Sequence, residues 1–265
     1  MKLAVIGKDV SQSLSPSMHT FLFSKFGVPC SYEAVSIAPE TFSERAERLF
    51  ERYDAFNVTI PFKGDIIPYL NELRGDARVF GAVNVVLSDE RAGYNTDGYG
   101  FLLMLENAGV EVKGRSVLVL GAGGAGRSCV KKLLDAGAVV SVFERFEERL
   151  QAVYCEFGSF TPLKEIPLRT YDIIINCTGI GMHDTVGKSP VGRELLALCD
   201  TAVDLIYVPA QSKFLEIAQQ EGKRTVNGEA MLFYQAYMGD CIILGKTPDA
   251  AQAKAFYQTY REAQK

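Results

Sequence analysis

The chain has 265 residues, 48% of them hydrophobic, with a formal net charge of -4 and a pI near 5.4. That length can bury a sizeable core and fits one or two domains. The acidic balance argues against a nucleic-acid partner, which asks for a basic face, and no apolar run is long enough to span a bilayer. The six cysteines (Cys30, Cys129, Cys155, Cys177, Cys199, Cys241) include no C-x-x-C pair, so they read as reduced thiols packed as small hydrophobes in a cytoplasmic protein. The two histidines, His19 and His183, stand in unrelated places, and no metal site is expected.

In chain order, Leu3 to Ile6 reads as a strand and not a signal peptide, because charge returns at Lys8 and Asp9. Pro16 fits the first turn of a helix running to Phe26. Tyr32 to Ile37 alternates as a strand. In Thr41 to Tyr53, Phe42, Ala46, Leu49 and Phe50 share one helical face and the charged residues take the other, a solvated surface. Phe56 to Ile60 reads as a strand stopped by Pro61, with a helical segment to about Leu70. Apolar Ala82 to Leu87 and a charged turn at Ser88 to Arg91 come next. This first block reads as a βαβ series of its own.

Leu102 to Ala108 is a connecting helix into a second domain. There the apolar run Val117 to Leu120 stops at glycine, and Gly121, Gly123 and Gly126 fall in a G-x-G-x-x-G spacing ahead of a helix over Ser128 to Ala136. A dinucleotide site uses this order: a glycine for the tight turn, one for close pyrophosphate approach, one for helix-on-strand packing. The free N–H groups and positive dipole end of the new helix then face the phosphates. A second strand, Val139 to Phe143, ends in acidic Glu144. The plainer reading of the glycines is an ordinary strand-to-helix turn. Tyr171 to Cys177 and Ala202 to Ile206 are further buried strands. Two helices, about Ala230 to Leu244 and Pro248 to Ala263, end the chain and are expected to return to the first domain.

Four polar clusters sit where strands end. Ser11 to Pro16 offers hydroxyls ahead of a helix start, a place for a carboxylate, although helix capping explains that segment at least as well. In Asn57 to Lys63, alternation puts Asn57 and Thr59 on one face, and Lys63 follows the strand's end, where open α/β sheets place ligands. Most lysines are simply surface residues. Gly81 to Asn84 carries one amide in an apolar strand, which a structural asparagine also explains, and Asn95 to Gly98 also suits a turn or N-cap.

Taken together these motifs resemble the shikimate dehydrogenase family over nearly the whole chain: S-x-S-x-S-P at Ser11 to Pro16, N-V-T-I-P-F-K at Asn57 to Lys63, G-A-V-N at Gly81 to Asn84, N-T-D-G at Asn95 to Gly98, G-A-G-G-A at Gly121 to Ala125 and N-G-x-x-M-L-x-x-Q at Asn227 to Gln235. The resemblance implies two α/β domains with a cleft between them. The substrate domain would comprise residues 1–99 with 229–265, and a Rossmann-type NADP-binding domain residues 100–228. It implies NADP(H)-dependent reduction of 3-dehydroshikimate to shikimate by a monomer or homodimer.

By the resemblance, Lys63 is the catalytic lysine and Asp97 its partner carboxylate. Ser13 and Ser15 hold the substrate carboxylate, and Thr59, Asn84, Tyr207 and Gln235 face its hydroxyls. The cofactor side takes Gly121, Ala122, Gly123, Gly124, Ala125, Gly126, Glu144, Arg145, Arg149, Leu205 and Gly228. One departure bears on the cofactor. The family's NADP signature is often Asn-Arg-Thr-x-x-Arg, and this chain has Glu144-Arg145-Phe146-Glu147-Glu148-Arg149. Arg145 and Arg149 remain to clamp a 2′-phosphate, while Glu144 ends the strand where an acid ordinarily accepts the 2′-hydroxyl of NAD. NADP is expected on family grounds, with NAD as the alternative. A quinate-preferring dehydrogenase is a second alternative, disfavoured by the intact pair Ser13 and Ser15. A non-catalytic sensor of the same acids is a third, disfavoured by the presence of Lys63 and Asp97.

Overall fold

The computed structural model describes residues 1–264. It divides into two compact units, Met1–Gly100 with the chain from Phe233 onward, and Phe101–Leu232.

The first unit opens with β1 (Lys2–Gly7), α1 (Ser15–Lys25), β2 (Ser31–Ser36), α2 (Phe42–Arg52) and β3 (Ala55–Val58). It continues through β4 (Glu72–Leu73), α3 (Asp76–Phe80), β5 (Val85–Leu87), β6 (Ala92–Tyr94) and the start of α4 (Asp97–Asn107). The strand order is β2-β1-β3-β5-β6-β4. Central β1 pairs in parallel with β2 and β3, and Leu3 to Gly7 are buried, as a strand covered on both faces requires. Its side chains alternate between two cores. Ala4 and Ile6 join Phe42, Phe56 and Phe62, while Leu3 joins Phe23 and Ala55 on the other face.

The second unit continues α4 and then adds β7 (Ser116–Leu120), α5 (Gly124–Asp135), β8 (Val139–Phe143), α6 (Glu147–Phe157), β9 (Thr161–Leu163) and β10 (Tyr171–Asn176). It is completed by α7 (Arg193–Leu196), β11 (Cys199–Asp204), α8 (Lys213–Gln220), β12 (Arg224–Val226) and the first turn of α9 (Glu229–Ile243). Its strand order is β12-β11-β10-β7-β8-β9 and every pairing is parallel, the doubly wound arrangement that presents ligands to the carboxyl ends of its strands. The chain re-enters the first unit within α9 and ends in α10 (Ala250–Ala263). Asp249 caps α10 by accepting the Gln252 N–H at 2.9 Å. Phe233 packs against Tyr257 and Tyr260 of α10, with ring centroids 5.2 and 5.3 Å away, and against Phe21 of α1.

The structure corrects several expected elements. The first sheet is mixed, since β3 and β5 pair antiparallel, as do β5 and β6; the short turn at Ser88 to Arg91 leaves no room for a crossover helix between β5 and β6. β3 stops at Val58: the Thr59 N–H makes one last bond to Ile6 O of β1 (2.8 Å), and its carbonyl then turns to accept the Phe62 N–H (2.9 Å). The helix expected up to Leu70 is a set of turns ending in a 3-10 segment, Ile67–Tyr69, as Gly64 and Pro68 disfavour a continuous α-helix. The strand expected from Ala82 begins at Val85, and the helix expected from Ser128 begins at Gly124. The connecting helix begins five residues earlier than expected, at Asp97.

Among the described residues no helix is long and apolar enough to cross a membrane, no group of three His, Cys, Asp or Glu side chains is placed to hold a metal, and the six cysteines are free thiols.

One polar contact ties β7 to β10. The Asp172 carboxylate accepts the Ser116 N–H (2.7 Å), the Ser116 hydroxyl (2.8 Å) and an Arg115 N–H (3.2 Å). These bonds, the backbone one foremost, hold its pKa below the ordinary 3.8. A carboxyl depressed in the folded state adds stability above its unfolded value and loses it as pH falls through the folded one. Asp172→Asn should therefore lower stability at pH 7 by on the order of 1 kcal/mol, limited by the carboxylate's partial exposure. Melts of both proteins should converge as pH falls below the unfolded value of 3.8; a gap that persists in acid excludes this account.

Candidate active site

In the first unit the chemistry gathers where β3 and β6 end and antiparallel β5 begins. Phe62 is buried and stacks on Phe42 at 4.2 Å, which anchors the turn after β3 and leaves Lys63 next in line. The Lys63 carbonyl accepts the Val83 N–H at 2.8 Å, and Val58 N–H donates to Asn84 O at 3.0 Å. The Asn57 side chain reinforces this by donating to the same carbonyl at 3.1 Å and accepting the Tyr32 hydroxyl at 2.6 Å. Two segments 21 residues apart, Lys63 and Asn84, are thereby fixed side by side.

The Lys63 ammonium donates to Asp97 Oδ2 at 2.6 Å. The two side chains are 25% and 11% exposed, so a reactant can reach the pair while most of the surrounding water is excluded. Asp97 opens α4, and its own N–H is capped by Asn95 Oδ1 at 3.0 Å, an Asx turn that aims the carboxylate. Its second oxygen lies 3.0 Å from Asn84 Nδ2. That amide also lies 2.9 Å from Thr96 Oγ1 and 3.2 Å from Gln235 Oε1, while Asn84 Oδ1 accepts the Thr96 N–H at 2.9 Å. Thr96 Oγ1 donates to the Gln235 carbonyl at 2.9 Å, which ties α9 to the head of α4. The first unit thus brings together Lys63, Asn84, Asp97 and Gln235.

The serines also belong to this unit. Leu14 occupies the N-cap of α1 with no side-chain cap, and Ser15 lies inside the helix. Ser13 Oγ accepts the Ser15 N–H at 3.2 Å, and the Ser17 hydroxyl turns back to Leu14 O. The capping expected of the segment is therefore confined to Ser13. Thr59 sits in the turn beside Lys63 and is half-buried. Thr96 and Tyr32 were not singled out from the sequence, whereas Asn57 was read beside Thr59 on one face of its strand. Thr96 lay within the N-T-D-G motif, and its signal is burial of a hydroxyl at the head of an apolar helix.

In the second unit Gly121 ends β7 with φ +94° and donates to Phe143 O at 2.8 Å. A Cβ on Gly126 would lie 2.2 Å from the Gly121 carbonyl oxygen, so only glycine allows α5 to start this close to the strand. Gly123 is the N-cap of α5 and supplies no side-chain cap, which leaves first-turn N–H groups of Gly124, Ala125 and Gly126 for an anion. Such a cradle fits a dinucleotide pyrophosphate.

Glu144 accepts the Ala122 N–H at 2.8 Å and the Phe146 N–H at 3.0 Å, so its carboxylate is pinned beside the glycine turn. Arg145 and Arg149 both stand over the exposed Phe146 ring, 4.6 and 4.8 Å from its centroid. Leu205 follows β11, and a Cβ on Gly228 would lie 2.0 Å from the Leu205 carbonyl oxygen, so this position too admits no side chain. Tyr207 lies in the same segment, and burial raises its hydroxyl above the usual tyrosine value. It belongs to the second unit, unlike the other expected substrate contacts.

Two family models match the chain. The shikimate dehydrogenase substrate binding domain covers residues 5–86, and shikimate / quinate 5-dehydrogenase covers residues 103–193. A shikimate dehydrogenase (NADP(+)) of Thermus thermophilus is 37% identical over 254 residues, 94% of each chain. A Thermus thermophilus shikimate 5-dehydrogenase solved with NADP(H) and shikimate superimposes with a TM-score of 0.85 at 33% identity, over 98% of this chain and 99% of that one. A shikimate 5-dehydrogenase of Listeria monocytogenes, solved with shikimate and NAD, gives a TM-score of 0.83 at 26% identity, over 97% of this chain and 96% of that one. With a glycine-bounded turn in one unit, a lysine–aspartate pair in the other and relatives matched nearly end to end, this chain belongs to the shikimate dehydrogenase family.

Proposed function

We propose that the chain is a shikimate dehydrogenase that interconverts 3-dehydroshikimate and shikimate with NADP(H). The 2.6 Å bond between Lys63 and Asp97 carries the reading. A bound reduced nicotinamide supplies hydride to a ketone carbon. The ketone oxygen then gains negative charge, and the Lys63 ammonium is the proton source and cation that stabilises it. Asp97 keeps the ammonium oriented and accepts a substrate hydroxyl. Asn84 and Gln235, held by Thr96, present amides to the remaining hydroxyls, with Thr59 and Tyr207 as further contacts. Ser13 and Ser15 take the substrate carboxylate. In this reading residues 1–99 with 229–265 form the substrate domain and 100–228 the cofactor domain. The enzyme is cytoplasmic, a monomer or homodimer, in keeping with its free thiols.

Incubating the purified protein with shikimate or quinate and NADP or NAD, and following reduced nicotinamide at its absorbance band, tests this. Oxidation of shikimate with NADP should be fastest. No turnover with any pair would leave a sensor of these acids, and faster turnover of quinate would overturn the substrate assignment.

A second reading, use of NAD, is favoured by the Glu144 carboxylate at the glycine turn. At ~4 Å a carboxylate and a phosphate charge repel by on the order of 4 kcal/mol at an effective dielectric of 20, which Arg145 and Arg149 offset in part. Glu144→Gln removes the charge and keeps one N–H acceptor. It should raise the NADP-over-NAD ratio of kcat/KM by about tenfold or more, about 1.4 kcal/mol. An unchanged ratio would show that Glu144 does not discriminate between the cofactors.

A further inference from the structure

β10 ends in Asn176 and β11 in Asp204, which are direct partners in the parallel register. Both are wholly buried. A carboxylate taken out of water is costly unless its oxygens are hydrogen-bonded, and here each oxygen is engaged. Asp204 Oδ1 accepts Asn176 Nδ2 and the Ile206 N–H, each at 3.0 Å, and Oδ2 accepts the Ser212 hydroxyl. Ser212 in turn caps α8 by accepting the Leu215 N–H.

From this pair bonds run to three separate segments. Asn176 Oδ1 accepts the Thr178 N–H (3.0 Å) and hydroxyl (2.6 Å), and Thr178 Oγ1 accepts the Ile180 N–H (3.1 Å). The Thr178 methyl and the Cys177 backbone thereby lie against the glycine turn, where a Cβ on Gly121 would be 2.9 Å from the methyl. On the other strand, the Leu205 N–H bonds Asn176 O at 3.0 Å, and the Gly228 N–H bonds Ile206 O at 3.1 Å. The glycine turn, the Leu205–Tyr207 segment and Gly228 therefore share a single buried hub.

We propose that Asp204, together with Asn176, is a positioning residue for the cofactor: it sets the spacing between the glycine turn and the Leu205–Gly228 wall without touching the ligand. This rests on the reading of the second unit as the NADP(H) site. Both side chains have no exposed surface, so their effect on a ligand passes through the segments they hold.

The test uses the full chain, with NADPH titrated by its fluorescence and steady-state kinetics run alongside. Asp204→Ala should weaken NADPH binding by about tenfold, the worth of hydrogen bonds to a charged acceptor. Ser212→Ala, which removes one donor and leaves the carboxylate in place, should weaken it by about threefold to fivefold. Asp204→Asn, which still accepts from Ile206 N–H, should recover most of the loss. KM for NADPH should rise in step, and by a clearly larger factor than KM for shikimate, which the hub reaches only through Tyr207. Ser212→Ala keeps the proposal testable if Asp204→Ala does not fold. Lower melting temperatures with wild-type NADPH affinity in every variant would make the pair a structural prop and overturn the proposal. Failure of the wild-type protein to bind NADPH would instead overturn the cofactor reading beneath it.

Discussion

Replacing Lys63 by alanine should lower kcat by about 10²–10⁴, the usual worth of positioned general acid help, and leave the dissociation constant for NADPH unchanged. The fold around the site gives a reason to expect loss of chemistry and not collapse. Asp97 keeps the amide of Asn84 on its other oxygen and its own N–H on Asn95. Asn84 still receives the Thr96 N–H, and the residue 63 carbonyl still receives the N–H of Val83. Only the ammonium is lost, and with it the group that meets negative charge growing on the substrate oxygen. The unpaired Asp97 carboxylate adds to the penalty, since it would face the developing charge with no cation between them. Stopped-flow and steady-state assays on the purified variant check this. Turnover within about tenfold of wild type would remove Lys63 from the chemistry.

Gly126→Ala should act on the other half of the reaction. Its new methyl would meet the Gly121 oxygen at 2.2 Å and the Gly121 carbonyl carbon at 3.0 Å. These are backbone atoms, and Gly121 is itself fixed by its bond to Phe143 O and by a φ that other residues avoid. The start of α5 must therefore move off β7, at the cost of about 1–3 kcal/mol typical of overpacking. Carried by the turn alone, that strain weakens NADPH binding by about tenfold to a hundredfold. NADPH titration together with a thermal melt reads both effects. An alanine variant with wild-type affinity and melting temperature would mean that the turn does not hold the phosphates as described.

What the sequence disclosed follows from how much signal each element carries. Central strands such as β1, β7 and β10 are covered on both faces and read as unbroken apolar runs. The glycine spacing at 121, 123 and 126 was legible as a pattern, and two of its members, Gly121 and Gly126, answer separate steric demands in the structure. β4, with two residues, and α3, with five, are too short to show any period. The mixed first sheet was missed because β5 and β6 are three residues each and their direction depends on a turn, not on pattern. Within the site, Lys63 and Asp97 stood out only through motif resemblance, since an isolated lysine or aspartate after a strand is ordinarily a surface or turn residue. Asn176 and Asp204 carried still less. A polar residue closing an apolar strand looks like the beginning of a loop, and only coordinates reveal that both are sealed from solvent. Glu144 is the reverse case: its place at the end of β8 was evident in the sequence, and its bond to the Ala122 N–H was not.

The first unit is assembled from both ends of the chain, with Gln235, Phe233 and α10 supplied by its last stretch. On a ribosome, the continuous segment between them emerges whole and is free to adopt its shape while synthesis goes on. The half that holds Lys63 and Asp97 is then still short of a wall, and its aromatic residues on α1 wait for partners not yet translated. The lysine–aspartate half therefore stays incomplete until α9 and α10 have left the exit tunnel, well after its own strands are made.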